Sequence, residues 1–129
     1  MNKFDSLHAD LTEGIIRCYY LVYNQLRYGF LEKVYENALK HELEKNGYVV
    51  EAQKRIDVFY DGIRVGEYFA DMVVNDKVII ELKAAESLCD DHAIQLLNYL
   101  RATNLEVGLL LNFGKQPQVS RKQFLNDAK

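Results

Sequence analysis

Apolar residues recur with a helical period over the first part of the chain. Between Leu7 and Leu26 they return every three or four residues, which predicts a first helix. A break at residues 28–29 interrupts the pattern, and the same period resumes from Phe30 to Leu43. Asn46-Gly47 then supplies a helix stop. The pattern therefore predicts two consecutive helices.

The middle of the chain changes to strand-forming residues. Val49–Tyr60 and Ile63–Val74 flank Asp61-Gly62, a strong hairpin-turn signal, and a third strand ends at Lys83. Asp90 or Asp91 is a candidate cap for a helix that runs to about Thr103. The later patterns predict a buried strand at Val107–Leu111, reached by a crossover, and a short final strand at Val119–Leu125.

The charged residues between positions 69 and 83 fix the register of one predicted hairpin. Opposed residues share a face, and a slip of one residue reverses every pairing. A three-residue connection at 75–77 makes one face apolar, whereas a two-residue turn at 75–76 mixes polar and apolar residues on both faces. The first alternative is favoured. It predicts the pairs Val74–Val78, Met72–Ile80, Ala70–Leu82 and Asp71–Glu81, with Lys83 beside the last pair.

Asp71 and Glu81 in this register indicate a cation site. Two opposed carboxylates repel each other unless a cation lies between them, and hard oxygen ligands suit Mg²⁺ or Mn²⁺. Lys83 falls on the same face, where its ammonium is able to orient a water or stabilise charge on a phosphate. The alternative is an exposed strand face with an ordinary ion pair.

Length and charge narrow the function classes. The 129 residues are expected to form a single domain, 1–129, and a net charge of −3 argues against a protein that coats nucleic acid by bulk attraction. Cys18 and Cys89 form no ligand pattern and are expected to be packing residues. Local basic patches have candidates in Lys54, Arg55, Arg64, Arg101, Arg121 and Lys122, although ordinary solvated charge is expected for most of these.

The N-terminus carries charge where a signal peptide is apolar. Asp5, Asp10 and Glu13 interrupt its apolar residues, and no apolar run reaches the length needed to span a membrane. A soluble, cytoplasmic protein without membrane contact is expected.

The series Asp71 … Glu81-Leu82-Lys83 resembles the signature of the PD-(D/E)XK nuclease superfamily, with Ala70 in place of the named proline. Residues 29–35, Gly-Phe-Leu-Glu-Lys-Val-Tyr, match the GxxExxY signature of a family within it. The resemblance extends along nearly the whole chain. It implies a restriction-endonuclease-like α/β fold, with an α-α-β-β-β-α-β core and a central mixed sheet flanked by helices. The same order of elements follows from the patterns.

Within the GxxExxY segment, Glu32 and Tyr35 share one side of the second helix. In related nucleases an acidic residue of this helix completes the metal site, and the resemblance implies that role for Glu32. The alternative is a first-turn glutamate stabilised by the helix dipole. Tyr35 is either a substrate contact or a core residue whose hydroxyl positions a neighbour.

Gln95 and Tyr99 form a QxxxY pattern on the third helix, which resembles the motif after the catalytic strands of RecB-type nucleases. Gln95 is a candidate to bind a water or a phosphate near the metal. Tyr99 is a candidate to stack on a base, or else an amphipathic ring at the core edge. Arg101 is a further candidate substrate contact, whereas His92 is more typical of a surface or capping residue.

Two functions fit this sequence. The first is a Mg²⁺- or Mn²⁺-dependent nuclease that hydrolyses DNA, with Asp71, Glu81 and Glu32 as metal ligands, Lys83 orienting the attacking water and Gln95 assisting. The second is an inactive nuclease-fold module that binds nucleic acid or a protein partner. A homo-oligomer is compatible with either function.

Overall fold

The computed structural model describes residues 7–129, so Asp5 of the charged N-terminus lies outside the described residues. Within 7–129 the chain forms three α-helices, five β-strands and a short 3-10 turn. In chain order these are α1 (Ala9–Leu26), α2 (Glu32–Lys45), β1 (Val50–Tyr60), β2 (Ile63–Val74), β3 (Val78–Lys83), α3 (Asp90–Arg101), β4 (Val107–Phe113), β5 (Pro117–Gln123) and the turn Asn126–Ala128.

The strands form one mixed sheet in the order β1-β2-β3-β4-β5. β3 and β4 are parallel and are joined through α3, as a parallel connection requires, and the other neighbours are antiparallel. This architecture confirms the predicted α/β fold with its central mixed sheet flanked by helices. The final strand begins at Pro117, two residues before the predicted start, in an edge position that tolerates a missing N–H.

Two apolar cores hold the layers together, one on each face of the sheet. Helices α1 and α2 pack on one face over Met72, Ile80 and Leu82, and α3 packs on the other over Val73 and Ile79. The sheet is therefore buried on both faces along β3 and β4. This arrangement explains why these two strands are almost wholly apolar.

The β2–β3 hairpin has the predicted three-residue connection. Met72 pairs with Ile80 and Val74 with Val78. Asn75 and Asp76 have φ angles of 52° and 54°, a left-handed conformation that Asn and Asp tolerate better than other non-glycine residues. The predicted register is confirmed over these pairs.

Beyond Met72–Ile80 the hairpin departs from the prediction. The expected pairs Asp71–Glu81 and Ala70–Leu82 do not form in the strand ladder, because the ladder opens after Met72–Ile80 and Ala70 packs in the core under α3. The face on which the register puts Asp71, Glu81 and Lys83 is otherwise apolar over most of its length. Val73 and Ile79 on that face are buried beneath α3.

The start of α3 also differs from the prediction. The N-cap is Cys89 rather than Asp90 or Asp91, and the Cys89 backbone N–H donates to Nδ1 of His92 at 3.2 Å. Cys89 is exposed, so its expected packing role is wrong, whereas Cys18 is buried as predicted. None of the helices within residues 7–129 is both long and apolar enough to cross a membrane.

Candidate active site

Asp71 and Glu81 meet where the β2–β3 ladder opens. The Asp71 backbone N–H donates to Oε1 of Glu81 at 3.0 Å, and the Leu82 N–H donates to Oδ2 of Asp71 at 2.7 Å. Each carboxylate therefore takes a backbone donor of the opposite strand. Oδ1 of Asp71 and Oε2 of Glu81 remain outside these two bonds.

Burial and mutual repulsion raise the proton affinity of this pair. Glu81 is only 4% exposed, and burial together with the charge of Asp71 raises its pKa to about 8. Burial raises the pKa of Asp71 too, and the charges of Glu36 and Glu32 act in the same direction. The Lys83 ammonium opposes both pKa shifts without cancelling them. The positive charge of Lys83 is therefore too small to offset the effects of burial and of the neighbouring carboxylates on these two pKa values.

Glu32 reaches the same place from the first turn of α2. Its Oε2 accepts the Ala84 backbone N–H at 3.2 Å, immediately after Lys83. Glu32 is exposed and lies at the helix N-terminus, where a negative charge is favourable. The structure thus brings Glu32 to the end of β3, beside Asp71 and Glu81.

The GxxExxY segment builds the turn that places Glu32. Gly29 has a φ of 113°, which a residue with a side chain rarely adopts. The Tyr35 hydroxyl accepts the Phe30 N–H at 3.1 Å and donates to the Arg27 carbonyl, so it ties the α1–α2 connection together. Glycine and tyrosine therefore position the glutamate between them.

Tyr35 itself is part of the core. Its ring is fully buried and stacks on Phe113 at 4.4 Å between centres. A fully buried ring cannot contact a substrate, so Tyr35 has the alternative role, that of a core residue.

Lys83 is linked to the third helix through a chain of polar side chains. Its Nζ lies 3.5 Å from Oε1 of Gln95, and Nε2 of Gln95 donates to the Tyr99 hydroxyl at 2.9 Å. Burial raises the pKa of Tyr99, and the charge of Glu81 adds to the shift. Gln95 therefore contacts both Lys83 and the Tyr99 hydroxyl. Tyr99 is largely buried at the core edge.

Glu36 and Gln53 belong to the site and were not predicted. Glu36 is 4% exposed and accepts 2.6 Å hydrogen bonds from Lys33 and Gln53. Glu36 lies four residues after Glu32, so the sequence does indicate that the two side chains share one side of the helix. Gln53 carries no such signal: it sits opposite Asp71 in a strand yet has a φ of 52°. Such a backbone outlier is typical of functional sites.

These side chains line a small cleft. Glu32, Lys33, Glu36, Gln53, Asp71 and Leu82 enclose about 210 Å³ between α2 and the open end of the hairpin. The cleft reaches Asp71 from the α2 side, and Gln95 approaches Lys83 from the α3 side. The site therefore lies at the end of the sheet, where both helical layers have access.

Asn112 fixes the backbone that follows Lys83. The Asn112 side chain is fully buried, its Oδ1 accepts the Ala85 N–H at 3.0 Å, and its Nδ2 donates to the Ala85 carbonyl at 2.9 Å. Lys83 and Asn112 are also register partners in the parallel pair. The end of β3 is thereby held in place, and Lys83 with it.

The donor set fits a hydrated divalent cation in type. Asp71, Glu81 and Glu32 offer hard carboxylate oxygens, and burial, together with the neighbouring carboxylates, raises the pKa values of Asp71 and Glu81 in the absence of a cation. No three His, Cys, Asp or Glu side chains in residues 7–129 meet in a geometry that would by itself hold a metal ion. Water and phosphate oxygens would have to complete the coordination, as Mg²⁺ commonly allows.

The candidate basic patches are mostly engaged elsewhere. Lys54 pairs with Glu51, and Arg55 and Arg64 both pair with Asp57 and Glu67 on the β1–β2 hairpin. Arg121 donates to the Leu7 carbonyl at 2.7 Å. The Arg101 guanidinium lies 5.2 Å from the centre of the Phe124 ring. The structure does not bring Arg101 to the carboxylates.

Comparison with known proteins supports the same architecture. A family model described as the PD-(D/E)XK nuclease superfamily matches residues 9–124. A solved structure titled "Crystal structure of SSO0001" superimposes with a TM-score of 0.56 at 20% identity, covering 74% of this chain. The match spans 52% of that other chain, so this chain corresponds to about half of it. No curated protein matches the sequence.

Proposed function

Because the chain belongs to the PD-(D/E)XK nuclease superfamily, we propose that it is a Mg²⁺- or Mn²⁺-dependent nuclease that hydrolyses DNA phosphodiester bonds. The observation that carries the proposal is the open ladder at Asp71 and Glu81. There, two carboxylates with free oxygens lie beside Lys83 at an accessible end of the sheet. Because the match to the GxxExxY signature includes Glu32, we also assign the chain to that family.

The proposed roles follow from the contacts. Asp71, Glu81 and Glu32 bind the cation, which when bound polarises the scissile phosphate and lowers the pKa of a coordinated water. Lys83 orients the attacking water and stabilises negative charge that develops on the phosphate. Gln95 is a positioning residue, because it contacts the Lys83 amine and is itself fixed by the Tyr99 hydroxyl. Glu36 and Gln53 support the cleft on the α2 side.

A cleavage assay tests the proposal. Purified protein is incubated with labelled single-stranded and duplex DNA in Mg²⁺, in Mn²⁺ and in EDTA, beside Glu81→Ala. We expect metal-dependent cleavage that EDTA abolishes and that Glu81→Ala reduces on the order of a hundredfold or more. Equal cleavage by Glu81→Ala would remove this site from the reaction.

The second candidate function is a binding module without catalysis. Two observations favour it: no three potential ligand side chains in residues 7–129 form a metal cluster, and apolar side chains are exposed on the β1–β2 hairpin. Exposed apolar residues of this kind suit a protein partner or a second copy of the chain. DNA binding that persists without cleavage, in every metal and unchanged by Glu81→Ala, would favour this function.

A further inference from the structure

A second and larger groove lies between the β1–β2 hairpin and α3. It encloses about 700 Å³, which is within the usual range for ligand sites in proteins. Phe59 and Tyr68 of the hairpin form one wall, and Ile94 and Tyr99 of α3 form the other. No role in the proposed metal site accounts for this groove.

The walls of the groove present aromatic and apolar surface to solvent. Phe59 is 62% exposed, Ile94 53% and Tyr68 50%. Tyr68 packs against Tyr99 with 5.7 Å between ring centres and 47° between planes. Single exposed apolar residues are common, but here they converge on one concave surface. A flat apolar ligand fits such a surface.

The groove adjoins the candidate active site through Gln95. Gln95 and Tyr99 line it, and Gln95 also contacts the Lys83 amine. A strand in the groove would therefore contact Gln95, whose Oε1 lies 3.5 Å from the Lys83 amine. This proximity makes a part of the substrate a better occupant than an unrelated ligand.

The charged residues that line the groove indicate which part of a nucleic acid it would bind. Asp57 and Asp91 add carboxylates to the walls and Arg101 adds a cation, while Asp57 is already paired with Arg55. This balance does not favour a run of phosphates, whose binding needs clustered cations. Aromatic walls with little net positive charge instead suit the faces of nucleobases.

We propose that this groove is a base-stacking subsite for unpaired nucleotides of single-stranded DNA, which the exposed rings of Phe59 and Tyr68 hold next to the active site. The inference rests on the proposed nuclease function for its choice of a nucleic acid as the occupant. In duplex DNA the faces of the bases are covered by their neighbours. The groove therefore predicts a preference for single strands.

Binding without cleavage tests the subsite separately from catalysis. Fluorescence anisotropy in EDTA compares a labelled single-stranded oligonucleotide, its duplex, and a strand of the same length with several abasic positions. We expect the single strand to bind most tightly, and removal of the bases or the change Phe59→Ala to weaken it about tenfold or more. Phe59 is exposed, so its removal leaves the core intact.

Tyr60→Ala is the matched control, because Tyr60 is 64% exposed on the same hairpin and does not line the groove. We expect it to bind like wild type. Equal weakening by both variants, equal affinity for the abasic strand, or tighter binding of the duplex would overturn the subsite. So would a change of oligomeric state in Phe59→Ala, measured by sedimentation, with unchanged DNA affinity. Selective single-strand binding without cleavage in any metal would leave the subsite standing and remove the nuclease.

Discussion

Glu81 is buried at the point where the β2–β3 ladder opens, and its carboxylate accepts the Asp71 backbone N–H. Alternation along β3 puts it opposite Asp71, and the structure places both carboxylates at the opened ladder. Glu36 and Gln53 were not predicted as site residues, for two different reasons. Glu36 follows the helical spacing from Glu32 but lies one residue beyond the signature, whereas Gln53 has a left-handed backbone between the paired residues Ala52 and Lys54 of β1. No residue pattern in the sequence indicates that conformation.

The raised pKa of Glu81 makes stability depend on pH in the absence of metal. The folded protein keeps this proton up to a pKa of about 8, whereas the ordinary value is 4.5. Folded protein therefore binds more protons than unfolded chain between these values, and the free energy of unfolding falls as pH rises through them. We expect a loss on the order of a few kcal/mol. Denaturant titrations in EDTA at several pH values measure it.

Glu81→Gln removes this titration while an amide oxygen remains to accept the Asp71 N–H. We expect its pH dependence to be flatter than that of wild type between pH 4.5 and about 8. If the free energy of unfolding changed with pH by the same amount in both proteins, Glu81 would have an ordinary pKa. The electrostatic description of the site would then be wrong.

At the scale of elements, the hydrophobic pattern predicted the order of helices and strands and the register of the β2–β3 hairpin. It failed at Ala70, because simple alternation assumes a ladder that continues, and side chains interrupt this ladder at Asp71. It also missed how the connection after β3 is held. That connection depends on Asn112 of β4 and on Gly114 directly after β4, both more than twenty residues away in sequence.

Gly114 tests this connection. A Cβ at Gly114 would lie 1.8 Å from the Ala85 carbonyl oxygen, a backbone atom that cannot move without displacing the segment after Lys83. We expect Gly114→Ala to lower the free energy of unfolding by about 1–3 kcal/mol. Gly66→Ala is the control, because its nearest neighbours would be 3.5 and 3.7 Å away. Equal stability of the two variants in thermal unfolding would contradict the close approach.

At the scale of the whole molecule, both helical layers converge on one end of the sheet. Glu32 arrives from α2 and Gln95 from α3, so the site forms only when both layers are docked. The sequence signatures placed both residues near the metal, but they could not show that Tyr35 is core or that an aromatic groove adjoins Gln95. Those properties arise from the packing of distant segments.

We expect a divalent metal to stabilise the folded protein, because the proposed ligands come together only in the folded state. An ion that binds only the native carboxylates adds about 2.7 kcal/mol at a hundredfold excess over its Kd. For a domain of this size the gain corresponds to roughly 10 °C in melting temperature. We expect Asp71→Asn to lose the increment and Glu44→Gln, at the other end of α2, to keep it. Differential scanning fluorimetry with Mg²⁺ or Mn²⁺ measures the shift, and equal shifts in all three proteins would place the ion elsewhere.

We propose that Asp71, Glu81 and Lys83 form a catalytic unit in which the carboxylates bind metal and the ammonium acts on the water and the phosphate. The most direct measurement is the single-turnover cleavage rate of Lys83→Ala beside its metal-induced melting shift, with Lys83→Arg as a partial replacement. We expect Lys83→Ala to keep the shift and lose cleavage on the order of a hundredfold or more. Lys83→Arg should recover only part of the rate, because a planar fork does not reproduce a compact ammonium. Undiminished cleavage by Lys83→Ala would contradict the account.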